Sequence, residues 1–338
     1  HAYIMLAGTL GNGPEAIQAY QNALTYNAAN TNIARIEYIY NDGSNITQLY
    51  DDVVRGAYVG IGLNEDLIKI ATGDGRFATN AYVSNTGTTT YFLGYNLYRL
   101  KYDTTGSELD SKKDASAQEK TKAAMLNKNF RKAMTHALDK KTWNGTTSGK
   151  DLAEASLRNI YTAPTFVSLE KEVTYNGHKF AKGTEYGDLV QYFIDSQYGG
   201  TIKCADAKDG TYNPTLAKQY MAQAVKDLEA EDKNFFSKPV QIDIINYAAQ
   251  ESSKNQCNSY KTMIEEVLGK DKIQVNILDT TNLTDFYNAS YYANFGSDVC
   301  YDTYWGSGWG PDFADPSSYL STFLTDGEGY MTKVVGLF

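Results

Sequence analysis

Residues Trp305 to Pro316, WGSGWGPDFADP, gather the side chains best suited to chemistry or recognition in one short run. Two carboxylates, Asp312 and Asp315, stand beside Trp305, Trp309 and Phe313, while Gly306, Gly308 and Gly310 interrupt the aromatic residues. Paired carboxylates next to aromatic platforms are what a glycosidase uses as acid and base. Asp315, however, precedes Pro316-Ser317-Ser318, the pattern of a helix start with Asp as N-cap and Pro in the first turn. That use of Asp315 leaves Asp312 as a single carboxylate among aromatics.

A carboxylate held among aromatic rings with water excluded suits one cationic group, and the alternating glycines bare the backbone to close approach. An extended peptide offers an ammonium at its N-terminus and a backbone that could pair with the glycine-rich segment as an added strand. A glycan is the alternative ligand, because tryptophan and tyrosine walls also suit sugar faces.

Other chemistries find no footing. There is no GxxxxGK[ST] or GxGxxG loop, and His1, His136 and His178 are scattered, so no metal, cofactor or catalytic triad is expected. His136 reads as a solvated or supporting residue on a helix. Cys204, Cys257 and Cys300 are far apart and lack a CxxC pair, which points to buried free thiols. The formal net charge of −9 comes without a basic block, which argues against nucleic acid as a partner. No apolar run reaches the roughly 18 residues of a membrane span.

The elements that must position this run read as α/β. Arg35–Tyr40 alternates as a strand, Ile46–Val54 has helical spacing, and Ala57–Ile61 reads as a second strand, together a strand–helix–strand unit. Tyr91–Leu97 reads as an apolar strand. Ala117–Lys140 reads as one long amphipathic helix with Leu126, Phe130, Ala133, Met134, Ala137 and Leu138 inward, and a short helix is expected near Leu152–Arg158. Asn213-Pro214 starts a helix with Ala217, Met221, Ala224 and Leu228 on its apolar face. A second strand–helix–strand unit follows: strand Val240–Tyr247, helix Gln250–Leu268 and a strand through Ile273, Val275 and Ile277. A helix over Leu283–Asn294 and a strand over Cys300–Trp305 then lead into the tryptophan-glycine run, at the carboxyl end of a strand where open α/β sheets bind ligands.

WGSGWGPDFADPSSYLSTF resembles the hallmark segment of the oligopeptide-binding proteins that serve ABC importers, solute-binding protein family 5, with its nearest likeness among surface lipoproteins of streptococci and lactococci. YIYNDGS near residue 40, FRKAMTHALDKK (130–141), SLRNIYTAPTF (156–166), KDGTYNPTLAKQYMAQAVKDLEAE (208–231) and TDFYNASYY (284–292) follow in family order. NALTYN (22–27) stands where the family has an Asn-Pro-x-Tyr-Trp turn, a departure that leaves the local structure there open.

The resemblance implies a two-lobed periplasmic-binding-protein-like fold of class II type, here an incomplete first lobe over residues 1–90 and most of the second over 91–338. It implies that Asp312 meets a peptide α-ammonium, that Gly308, Trp309 and Gly310 pair with the peptide backbone, and that Trp305 and Phe313 wall side-chain pockets. The implied partners are an oligopeptide and an ABC permease in the membrane, and the implied protein is a non-enzymatic monomer, lipid-anchored at the cell surface as a longer precursor. The abrupt termini agree with a fragment.

Overall fold

The computed structural model describes residues 13–30, 35–41, 44–82, 87–103, 109–155, 157–200, 202–203, 209–325 and 329–337. The chain divides into two compact units, His1–Ile46 and Thr47–Phe338.

In the first unit, α1 (Pro14–Asn30) buries Ala16, Ala19 and Ala23, three small residues at helical spacing. NALTYN lies inside this helix. Arg35–Tyr40 forms no strand; Ile36, Tyr38, Ile39 and Tyr40 are all exposed. Alternation supplies a pleated face, but a strand also needs a neighbour for its N–H and C=O groups, and none pairs with it among the described residues.

The second unit begins within α2 (Ile46–Val54), from Thr47 on, and continues with two more short helices, α3 (Glu65–Gly73) and α4 (Arg76–Asn80). Ala57–Ile61, expected as a strand, is turn and irregular backbone with Val59 fully exposed. Of the first strand–helix–strand unit, only the helix is present.

The architecture then becomes mixed α/β. Strand β1 (Thr90–Tyr95) is followed by α5 (Ala115–Leu126), α6 (Lys128–Ala137) and α7 (Lys140–Ser148). The long helix expected over 117–140 is therefore two helices, α5 and α6, with α7 starting at its last residue. Asn127 turns to φ −72°, ψ 118° and its side chain accepts the N–H of Phe130, so the residue ends one helix and caps the next. Asp139 does the same for Thr142. The expected inward residues Phe130, Ala133, Met134, Ala137 and Leu138 are buried, but Leu126, next to the break, is exposed. Of the short helix expected near Leu152–Arg158, residues 152–155 are turn and Leu157 and Arg158 are irregular.

A hairpin, β2 (Val173–Tyr175) and β3 (His178–Phe180), turns through Asn176 and Gly177, both at positive φ. Then follow α8 (Tyr186–Tyr198), α9 (Pro214–Glu231), β4 (Val240–Tyr247), α10 (Glu251–Leu268), β5 (Ile273–Thr280), α11 (Leu283–Asn288), β6 (Thr303–Trp309) and α12 (Ser317–Leu320). β4 and β5 are parallel, in register from Val240↔Ile273 to Tyr247↔Thr280, with α10 as the crossover. The core lies between these strands and the helices. Ala217, Met221, Ala224 and Leu228 of α9 meet Phe130, Ala133 and Met134 of α6, and Cys257, Tyr260 and Ile264 of α10 meet Val240, Ile242 and Ile244. Among the described residues no helix is long and apolar enough to cross a membrane.

Candidate ligand site

The tryptophan-glycine run is a strand, not only the loop after one. β6 covers Thr303–Trp309 and runs antiparallel to β1, with Phe92↔Ser307, Tyr91↔Gly308 and Thr90↔Trp309 opposite one another and an irregularity between Phe92 and Gly94. The strand expected over 300–305 thus begins later and extends through the glycines, because β1 supplies a partner for them. Gly308 has a packing reason as well: a Cβ there would sit 2.7 Å from the Tyr91 ring and 3.0 Å from the Thr90 carbonyl oxygen. Part of what sequence alone reads as bared backbone is space for Tyr91.

The strand is held at both ends. At its root, Asp302 joins Arg99, Lys113 and Asp243 in a buried ionic cluster, each of the four at most 5% exposed. Arg99 Nη1 lies 2.8 Å from Asp243 Oδ2 and 3.1 Å from Asp302 Oδ1, and Lys113 Nζ binds Asp302 Oδ2 and lies 3.3 Å from Asp243 Oδ2. Asp243 N–H donates to Asp302 Oδ2 at 2.7 Å and Asp302 N–H to the Asp243 carbonyl at 2.9 Å, which ties β6 to β4. Two cations and two anions leave the cluster neutral, and Ser111 and Asn276 donate further hydrogen bonds to Asp243. Burial pushes the Asp302 carboxyl upward, but Lys113 and Arg99 outweigh it and hold the group below the usual carboxylate value.

At the tip of β6, Trp309 Nε1 donates to the Ser318 carbonyl at 2.8 Å, and the ring stands 5.8 Å from that of Tyr330. Gly310, which follows, would bring a Cβ within 3.1 Å of Thr89 Oγ1. Asp312 N–H donates to Ser318 Oγ at 2.7 Å. The Asp312 carboxylate is exposed and has no ion-pair partner among the described residues. It is not enclosed by rings, a correction to the expectation of a water-excluded carboxylate: the aromatic neighbours in sequence point elsewhere. Phe313 is 58% exposed. Trp305 is half-buried, edge-on to Trp143 of α7 at 5.4 Å and tilted against Tyr260 of α10 at 5.4 Å. Asp315 behaves as a cap, its Oδ1 accepting the Ser317 N–H at 2.8 Å.

The structure therefore groups Gly308, Trp309, Gly310, Asp312 and Phe313 at one strand tip, and places Trp305 farther down against the core. Trp143 was missed because the helix bearing it, KKTWNGTTS, has no amphipathic pattern and no fully buried residue. The ionic cluster left one signal: Asp243 puts a charge between Ile242 and Ile244 in the middle of β4. His136 is buried rather than solvated, with Nδ1 2.7 Å from the Thr211 carbonyl and its ring stacked on Tyr220. Cys257 and Cys300 are buried free thiols, pushed up by burial to about 12 and about 11, while Cys204 lies outside the described residues.

The scaffold is mixed α/β of the periplasmic-binding-protein-like type, and its glycine-interrupted strand tip carries one carboxylate without an ion pair among the described residues. The chain belongs to the bacterial extracellular solute-binding proteins, family 5, which it matches over residues 25–331. It is similar to the oligopeptide-binding protein AliB of Streptococcus pneumoniae, 32% identical over 94% of this chain and 46% of that protein. It is also similar to AmiA of the same species, 32% identical over 92% and 44%, and to SarA of Streptococcus gordonii, 29% identical over 94% and 45%. The chain thus spans about half the length of these relatives. In fold it resembles the substrate-binding domain of an oligopeptide ABC transporter from Bacillus anthracis, with TM-score 0.51, 17% identity and coverage of 86% of this chain and 42% of that one.

Proposed function

We propose that this chain is the ligand-gripping part of an oligopeptide-binding protein that serves an ABC importer. Asp312 receives the peptide α-ammonium; Gly308, Trp309 and Gly310 offer backbone to the extended peptide; Phe313, and Trp305 deeper in, wall its side chains. The observation that carries this reading is the Asp312 carboxylate, exposed and without an ion pair among the described residues, on a loop fixed at Trp309 and Ser318. A carboxylate that no protein cation neutralises is available to a ligand's cation, and it gains strength when the ligand excludes water around it. The relatives named for oligopeptide binding support the same ligand class.

In the whole protein, residues to about 90 belong to a first lobe and residues 91–338 to a second. The lobes close on the peptide as a hinge, and a monomer anchored by lipid at the cell surface hands it to the permease. No chemical step is involved.

Calorimetry with a peptide mixture, with and without N-terminal acetylation, tests the reading. Acetylation removes the ammonium, so heat released by the free peptides should be largely lost with the acetylated ones. Equal binding of both would overturn the assignment of Asp312, and heat from an oligosaccharide in place of peptide would establish the glycan reading instead.

A further inference from the structure

We infer that Ser318 is the positioning residue of the ligand segment: it sets where the Asp312 carboxylate stands, although it touches no ligand itself. This rests on the proposed role of Asp312. All three polar groups of Ser318 are spent on the segment before it. Its Oγ accepts the Asp312 N–H at 2.7 Å, its carbonyl accepts Trp309 Nε1–H at 2.8 Å, and its own N–H donates to the Asp315 carbonyl at 3.0 Å.

The segment has few other ties. Pro311 has no N–H, residues 312–315 are exposed, and the remaining hydrogen bonds there, Asp315 N–H to the Phe313 carbonyl and Ser317 N–H to Asp315 Oδ1, are internal to it. Ser318 itself is 2% exposed and cannot shift freely, because the next residue, Tyr319, is fully buried and donates its hydroxyl proton to the Thr88 carbonyl. Tyr319 also packs edge-on against Phe166 and Tyr161. Rigidity therefore passes from the core, through Tyr319 and Ser318, to the peptide unit entering Asp312. That unit orients the Cα–Cβ bond of Asp312, and an anchor displaced by about 1 Å loses much of its binding.

A merely structural serine and a positioning serine differ in what their removal does to selectivity. The probe is pentaalanine, free and N-acetylated, titrated into wild type, Ser318→Ala, Ser318→Thr and Asp312→Ala. Wild type is expected to prefer the free peptide. Ser318→Ala should lose that preference by about tenfold or more while its affinity for the acetylated peptide holds, and Ser318→Thr, which keeps the hydroxyl, should restore it. Should Ser318→Ala not fold, Ser318→Cys, which keeps the size of the side chain but offers only a weak acceptor, gives the same comparison.

Loss of affinity for both peptides in equal proportion, or wild-type preference in Ser318→Ala beside its loss in Asp312→Ala, overturns the inference and leaves the ligand assignment standing. Unchanged preference in Asp312→Ala, or a wild type that binds neither peptide or both alike, overturns both.

Discussion

Arg99 Nη1 lies 3.1 Å from Asp302 Oδ1 across 203 positions of sequence, with both side chains almost fully buried. The contact closes a four-charge cluster at the root of the strand whose tip carries the proposed ligand segment. Removing one member strands its partners without solvent, which typically costs about 3–5 kcal/mol. Asp302→Ala should therefore lower the urea midpoint far more than the cap change Asp315→Ala does. Equal midpoints for the two variants would mean that the cluster contributes little.

Stability should fall on acidification in two stages. His136 is buried, which pushes its imidazolium below the ordinary histidine value. The unfolded chain thus takes up that proton first, and stability present above about pH 6.5 declines as the pH drops below it. Asp302 is held low by Lys113 and Arg99, so its contribution is intact above about pH 3.9 and is lost as the pH falls through its folded value. Unfolding curves of wild type and His136→Gln between pH 7 and pH 5 should diverge, with the variant flatter; parallel curves would exclude His136 as the source of the first stage.

The two aspartates of the opening run should separate cleanly. Asp312→Ala is expected to weaken peptide binding by about 2 kcal/mol or more, roughly thirtyfold in Kd, because the ligand desolvates the pair it forms, and to leave the thermal midpoint near that of wild type. Asp315→Ala is expected to lower the midpoint through loss of its bond to the Ser317 N–H, with peptide affinity little changed. Calorimetry and thermal melts on both variants check this, and reversed outcomes would exchange their roles.

Trp305 and Phe313 should also part company. Trp305 is packed between Trp143 and Tyr260, so Trp305→Ala opens a cavity at the edge of the core and should cost about 3 kcal/mol of stability. Phe313 is 58% exposed, and Phe313→Ala should alter peptide affinity without a measurable change in melting. A stable Trp305→Ala would return that residue to the ligand wall alone.

Gly308 meets Tyr91 and the Thr90 carbonyl across the strand pair. A side chain at this point must push Tyr91 aside or break the β1–β6 pairing. Gly308→Val should lower both stability and binding, and Tyr91→Ala in the same chain should recover part of the stability by removing the ring. No recovery would show that the Thr90 backbone, rather than the Tyr91 ring, excludes a side chain.

Local pattern was enough for elements whose partners lie nearby in sequence. The apolar face of α9, the parallel pair β4 and β5 with α10 between them, and the cap at Asp315 all follow from spacing and end signals, which act over a few residues. The same kind of signal failed at Arg35–Tyr40 and Ala57–Ile61, where alternation is present and no neighbour pairs with it. It failed again at Asn127, where one side-chain hydrogen bond divides a continuous apolar stripe into two helices.

The sequence by itself determined which residues could serve a ligand: one spare carboxylate, glycines where backbone must come close, and rings beside them. Only the tertiary structure decided how each is used. Trp305 went to the core because α7 and α10 bring Trp143 and Tyr260 against it. Gly308 makes room for Tyr91, and Asp312, its N–H bonded to Ser318 Oγ, stands in solvent. The ionic cluster under the strand could not be read from spacing, since Arg99, Lys113, Asp243 and Asp302 meet across separations of 144 to 203 positions for Arg99 alone. Burial and charge pairing at that range depend on how the strands and loops pack together, and no local pattern encodes that.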